Sequence, residues 1–187
     1  MTEAVRARLY LTLEVRHMEY LEELLRTVEP ACVRLLVGEG DVAAAKECRS
    51  LCHALGVPLL TTGPDDVAVS MAREAGADGV HLVGSPKAAP WAKRELGETC
   101  IVGIDPGESR HDAMIAAEAG ADYVALSPRW DDEDTVPEAI AWWSAIMETP
   151  LVAETARTPR RAHLVRDMAE FVAAGPDEAE AISAALT

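Results

Sequence analysis

Short apolar runs alternate along the chain with longer stretches of mixed polarity. The runs Leu9–Leu13, Cys32–Val37, Pro58–Thr62, Gly79–Leu82, Cys100–Ile104, Tyr123–Ser127, Pro150–Ala153 and Glu170–Ala173 predict strands. The stretches Met18–Val28, Val42–Leu55, Asp66–Ala75, Pro86–Leu96, Arg110–Ala119, Pro137–Met147, Pro159–Asp167 and Pro176–Leu186 carry the Ala, Leu, Glu, Arg and Lys mixture of helices. Strands that are apolar on successive residues are buried on both faces, as parallel strands under helices are. Pro86, Pro137, Pro159 and Pro176 stand at predicted helix beginnings, where proline forfeits no hydrogen bond. Ser85 and Thr158 precede two of them as N-caps. Gly56, Gly76, Gly97 and Gly120 follow helix ends, where left-handed backbone is wanted.

An internal echo adds topology. Glu74-Ala75-Gly76-Ala77-Asp78-Gly79-Val80-His81-Leu82 returns 44 residues later as Glu118-Ala119-Gly120-Ala121-Asp122-Tyr123-Val124-Ala125-Leu126. That offset is two βα units of about 22 residues, and eight such units nearly fill residues 1–187. Right-handed βα crossovers repeated eight times close into a (β/α)8 TIM barrel, here one small domain. An open doubly wound sheet has the same alternation, but eight is the closure number. The first strand is not followed by a G-x-G-x-x-G turn, so no dinucleotide site is expected, and no other cofactor.

Composition narrows the partners. The formal charge is −15, which argues against binding nucleic acid or an anionic membrane surface. Only eight aromatic residues are present (four Trp, three Tyr, one Phe), so the core must be aliphatic. No apolar run approaches the roughly 18 residues of a membrane span, and Met1–Arg8 lacks the apolar centre of a secretory signal; a cytoplasmic location is expected. Cys32 and Cys100 lie in strand-like runs as small hydrophobes. Cys48 and Cys52 share a helix face beside His53, but the spacing matches no closed zinc pattern, and no metal site is expected.

Leu9-Tyr10-Leu11, Gly56-Val57-Pro58-Leu59-Leu60, Ala75-Gly76-Ala77-Asp78-Gly79-Val80-His81-Leu82 and Gly120-Ala121-Asp122-Tyr123-Val124 leading into Ser127-Pro128 carry a resemblance in order and spacing. Through them nearly the whole chain resembles the thiamine-phosphate synthase and thiazole tautomerase family. The resemblance implies a barrel that joins a thiazole phosphate to a pyrimidine pyrophosphate, with magnesium holding the pyrophosphate. Position by position the chain departs from that pattern. The family's Gln-x-Arg-x-Lys series on strand two falls on Arg34, Leu36 and Gly38. Its Asn-Asp pair after strand three, which serves magnesium, falls on Thr62 and Gly63, with Asp66 at its next aspartate. Its second magnesium aspartate falls near Pro86, and the serine-containing turn after strand five on Asp105-Pro106-Gly107. The phosphate-cradling Gly-Gly after strand seven falls on Glu154-Thr155-Ala156, and the Val-x-Ser after strand eight on Ala174-Gly175-Pro176. The tautomerase histidine after strand six is Ser127.

A pyrophosphate leaving group needs cations to take its developing charge, and Glu154 would repel a phosphate. The expectation is therefore a divergent barrel that binds a small anionic or heteroaromatic ligand and does not run the parent magnesium-dependent reaction. Barrels work at the C-terminal ends of their strands. Arg34, Thr62, His81, Ser127, Arg129, Trp130 and Arg157 are the candidate ligand-binding residues there, and Asp105 and Glu154 the candidate catalytic carboxylates. An internal Arg34 must pair with a carboxylate or bind an anion, because its charge cannot be shed. Three alternatives stay open: a non-catalytic binding or regulatory barrel plugged by the Arg34 pair and Leu36, an intact synthase as the resemblance implies, and a new enzyme using Asp105 or Glu154 as a base. His81 suits a hydrogen-bonded core position, and Asp131-Asp132-Glu133-Asp134 a solvated loop. Arg157, Arg160, Arg161 and Arg166 cluster around a helix start, where positive charge opposes the helix dipole; they point to an acidic protein partner or to pairing within the chain. Adjacent Trp142 and Trp143 point about 100° apart, so one is exposed to contact, in a second copy or another protein.

Overall fold

A computed structural model describes residues 6–187; the first five residues of the Met1–Arg8 stretch lie outside that range. Eight parallel strands close into a barrel in sequence order: β1 (Arg8–Glu14), β2 (Cys32–Leu36), β3 (Leu59–Thr62), β4 (Gly79–Val83), β5 (Ile101–Asp105), β6 (Tyr123–Leu126), β7 (Leu151–Ala153) and β8 (Phe171–Ala174). The helices between and after them are α1 (Leu21–Val28), α2 (Val42–Ala54), α3 (Asp65–Ala75), α4 (Ala89–Leu96), α5 (Arg110–Glu118), α6 (Glu138–Ile146), α7 (Pro159–Val165) and α8 (Ala179–Leu186). The fold is a (β/α)8 TIM barrel. Among the described residues no helix is long and apolar enough to cross a membrane.

Strand alternation divides the core in two. Outward residues such as Leu11, Val33, Leu59, Val80, Val102 and Val172 pack under the helices. Inward residues Tyr10, Cys32, Leu60, Tyr123, Ala125, Val152 and Ala173 fill the barrel axis. Two residues further along their strands, Cys32, Leu60 and Val152 give way to Arg34, Thr62 and Glu154, all buried. The barrel is therefore apolar below and polar toward the strand C-termini.

The echoed motif does the same work twice. The Asp78 N–H donates to the Leu59 carbonyl, and its Oδ2 accepts the Leu59 N–H, both at 2.8 Å. Asp122 makes the identical pair of bonds to Val102, both at 2.8 Å. Each carboxylate thus satisfies a strand N–H that the ladder leaves unpaired. Glu170 does this with a longer arm, accepting the Leu151 N–H at 2.7 Å. His53 Nε2 sits 2.8 Å from Asp78 Oδ2, which turns it away from Cys48 and Cys52; those thiols are buried, 4.0 Å apart.

Local expectations differ from the structure in a few places. The expected helix Met18–Val28 is split: Val15–Tyr20 is a 3₁₀ turn with no buried residue, and α1 begins at Leu21. The turn is anchored instead at its start, where His17 Nδ1 accepts the Glu14 N–H at 3.0 Å. Pro86 and Pro176 lie in turns ahead of their helices, and Pro90 takes the first turn of α4. Ser85 caps nothing; its Oγ donates to Asp65 Oδ2 at 2.7 Å. Pro137 occupies the N-cap of α6, whereas Thr158 caps α7 as expected, through the Arg161 N–H. Gly56, Gly76, Gly97 and Gly120 all have positive φ.

Replacing Asp78 or Asp122 by alanine strands a buried strand N–H, so each variant is expected to lose about 1–3 kcal/mol in urea denaturation.

Candidate active site

The polar half of the barrel is built around one cation. Arg34, on β2, crosses the barrel to Glu154, the residue after β7, with Nη1 donating to Oε1 at 2.6 Å and Nη2 to Oε2 at 3.0 Å. Both side chains are buried, at 9% and 6% exposure. Nη1 also lies 2.8 Å from His81 Nε2 on β4. A guanidinium can only donate, so Nε2 must be the acceptor, and the neutral imidazole carries its proton on Nδ1. Nδ1 then donates to the Tyr123 hydroxyl at 2.9 Å, which lies 2.6 Å from the Tyr10 hydroxyl. Tyr10 completes the circuit by placing its ring 5.2 Å from the Arg34 guanidinium carbon.

Gly103 makes this arrangement possible. It is the register partner of Tyr123 on the neighbouring strand, and a Cβ there would fall 1.8 Å from Tyr123 Cζ. The missing side chain is the slot in which the tyrosine ring lies. Burial, reinforced by the Arg34 charge, holds the His81 pKa well below the ordinary histidine value. Burial likewise raises both tyrosines far above theirs. The network is thus neutral apart from the Arg34–Glu154 pair.

Asp105 ends β5. Its Oδ1 accepts the Gly107 N–H at 2.7 Å and its Oδ2 the Ser127 hydroxyl at 2.8 Å. Burial raises its pKa, and these two hydrogen bonds partly counter the rise.

Above this floor lies a cavity of about 450 Å³. Arg34, Thr62, His81 and Asp105 line its base, Leu36 and Val83 its side, and Arg16, Arg157 and Glu178 its rim. Leu36 and Val83 keep 49% and 57% of their surface exposed, so two apolar side chains face an open mouth. The ion pair and Leu36 do not plug it. The rim cations have local partners: Arg16 with Glu14 at 3.0 Å, and Arg157 with Glu154 and Glu178 at 3.8 and 3.9 Å.

Among the candidates read from the sequence, Arg34, Thr62, His81, Asp105 and Arg157 line the cavity, Glu154 lies behind Arg34, and Ser127 supports Asp105. Both Glu154 oxygens are bonded to the guanidinium, which leaves Asp105 as the carboxylate of that pair facing the mouth. Arg129 and Trp130 do not join the lining. Arg129 is exposed, and Trp130 is buried, its Nε1 donating to Thr155 Oγ1 at 3.1 Å under the Arg161 guanidinium. The acidic run is a solvent-exposed loop, as expected, and two of its carboxylates are also paired. Glu133 pairs with Arg161 at 2.8 Å and accepts the Thr158 hydroxyl, and Asp134 pairs with Arg160. The basic cluster is thereby largely matched within the chain. Trp143 is core, and Trp142 is half-buried beside Arg110. Tyr10 and Tyr123 were not among the expected site residues; their signal was two tyrosines at inward strand positions of an aliphatic barrel.

His81, Asp105 and Glu154 bring ligating atoms within 4.8 Å of one another. Arg34 holds the lone pairs of two of the three, so this set does not fit a metal ion while the guanidinium is there.

Residues 39–175 match the family model described as thiamine monophosphate synthase. The chain is 35% identical over 154 residues to the thiamine-phosphate synthase of Rhodospirillum centenum, covering 76% of this chain and 72% of that one. It is 35% identical over 141 residues to that of Erythrobacter litoralis, covering 69% of this chain and 63% of that one. In structure it is similar to the thiamine phosphate pyrophosphorylase of Pyrococcus furiosus, with TM-score 0.77, 18% identity and coverage of 98% and 96%. It is also similar to an N-acetylmannosamine-6-phosphate 2-epimerase from Clostridium perfringens, with TM-score 0.71, 13% identity and coverage of 94% and 89%. At those identities the two structures speak for the fold alone.

Two outcomes follow from the buried network. Glu154→Ala leaves a buried guanidinium without its counter-charge and is expected to cost about 3–5 kcal/mol in urea denaturation. The lowered His81 pKa means that the unfolded chain binds a proton, below about pH 6.5, that the native state refuses. Stability should therefore fall as pH drops from 7.5 to 5.5, by about 1 kcal/mol more in the wild type than in His81→Gln, read from urea midpoints.

Proposed function

The chain belongs to the thiamine monophosphate synthase family, and from that premise we propose that it is a divergent member that binds a small anionic or heteroaromatic molecule at the barrel mouth. It does not join a thiazole phosphate to a pyrimidine pyrophosphate by the magnesium-dependent route. The observation that carries this reading is the open cavity of about 450 Å³ over a cation already neutralised by Glu154.

Charge bookkeeping at the mouth supports a lightly charged ligand. Arg16, Arg34 and Arg157 each have a carboxylate within 4 Å, so no surplus of cations faces a multiply charged pyrophosphate. Among the described residues no group accepts a hydrogen bond from the Arg34 Nε, and this side chain lines the cavity, which leaves a donor for one anionic or acceptor group. Leu36 and Val83 offer an apolar wall for the rest of the molecule.

The magnesium positions implied by the family do not fit the ion. At Gly63 a Cβ would lie 2.5 Å from the Val37 carbonyl oxygen, so an aspartate there requires the backbone to move. Around Pro86 the nearby hydroxyl of Ser85 is spent on Asp65. Those positions therefore offer magnesium no carboxylate pair.

Titration calorimetry with a thiazole phosphate is expected to give binding without magnesium and unchanged by EDTA. Arg157→Ala should weaken it about tenfold, or about 1.4 kcal/mol. Magnesium-dependent formation of thiamine phosphate from both substrates would overturn the proposal in favour of an intact synthase.

A further inference from the structure

We propose that the Arg34 guanidinium is the resident cation of a three-donor site, tethered where a divalent transition-metal ion would otherwise bind His81, Asp105 and Glu154. The inference concerns the floor of the cavity and stands apart from the identity of any ligand above it.

One nitrogen and two carboxylates converge from the middle of β4, the end of β5 and the residue after β7, a donor set suited to zinc, cobalt or iron. The three ligating atoms lie within 4.8 Å of one another. Bonds of about 2.0–2.2 Å to a tetrahedral ion place such atoms roughly 3–4 Å apart, so only a modest contraction separates this arrangement from coordination. The surroundings have the form of a metal site's outer shell. Ligating histidines donate their second ring N–H, and ligating carboxylates are themselves hydrogen-bonded. His81 gives its Nδ1–H to Tyr123, and Asp105 accepts from the Gly107 N–H and the Ser127 hydroxyl.

Arg34 sits where the ion would. Its Nη1 lies 2.8 Å from His81 Nε2 and 2.6 Å from Glu154 Oε1, bonded to the lone pairs a metal would take. Without it, two carboxylates and an imidazole lone pair would share a largely buried space with only the half-exposed Arg157, 3.8 Å from Glu154, as a nearby cation. A guanidinium supplies the charge permanently: it cannot be removed by a chelator, exchanged for another ion or deprotonated.

Co(II) is the probe, followed by its visible d–d absorption and by equilibrium dialysis, on the wild type, His81→Asn, Arg34→Ala, Arg34→Gln, and each Arg34 variant combined with His81→Asn. The Arg34 variants are expected to bind one equivalent at least tenfold more tightly than the wild type, and His81→Asn is expected to abolish the gain. A folded Arg34 variant, judged by circular dichroism, that binds Co(II) no better than the wild type overturns the proposal. So does wild-type binding that is lost on His81→Asn. If both Arg34 variants are unfolded without metal, recovery of the native dichroism on adding Co(II) supports the proposal, and no recovery overturns it. Thiazole phosphate binding by the wild type is measured separately, so failure here leaves the ligand reading standing, and the reverse.

Discussion

A charge that cannot be shed, enclosed in a barrel, governs the site. Arg34 is fixed on β2, and the barrel supplies Glu154 from past β7 as its counter-ion. Two parallel hydrogen bonds make the match geometric as well as electrostatic. From that pair the rest of the interior follows. The guanidinium dictates the histidine tautomer, the histidine fixes the Tyr123 hydroxyl, Tyr123 meets Tyr10, and Gly103 leaves room for the tyrosine ring. The buried pair is not thereby a source of net stability, because taking two charges out of water is expensive. Its consequence is specificity: five side chains, Arg34, Glu154, His81, Tyr123 and Tyr10, are held in one connected arrangement.

The same principle of matched charge operates outside the barrel. The chain carries a large acidic excess, yet its arginines on α7 stand where the helix dipole opposes them. Glu133 and Asp134, from the loop after β6, reach α7 and offset that cost. Trp130 lies beneath, its ring against Arg161 and its Nε1 on Thr155. These residues tie the β6–α6 loop to the start of α7, and they keep Trp130 away from the mouth. Exposed ion pairs of this kind contribute little individually; their value here is in fixing where the loop lies.

Family membership and the proposed change at the mouth are compatible. The barrel, its glycine turns and the paired Asp78 and Asp122 caps are demands of the scaffold, and they are independent of what the mouth binds. The mouth is set by strand-end residues, and the proposed divergence is confined to them. Leu36, half exposed at the mouth, and Gly63, pressed against the Val37 carbonyl, shape the cavity without touching the core.

By itself the sequence determined the alternation of eight strands and eight helices, the closed barrel, and the family resemblance. Those rest on local periodicity, helix-end glycines and a repeat, all properties of neighbouring residues. It also pointed to Arg34 as needing a partner, since no environment neutralises arginine, and named Glu154 and Asp105 as the choices. It did not reveal which carboxylate answers, because the two lie 71 and 120 residues away and only barrel closure and the register of the strands bring one of them to bidentate distance. It placed Trp130 at a ligand, and it did not show that Glu133 and Asp134 of the exposed acidic run reach α7, because cross-loop pairing has no periodic signature. The Tyr10–Tyr123–His81 chain was hidden for the same reason. Each of its residues is an ordinary inward strand position, and their meeting exists only once eight strands have closed around a common axis.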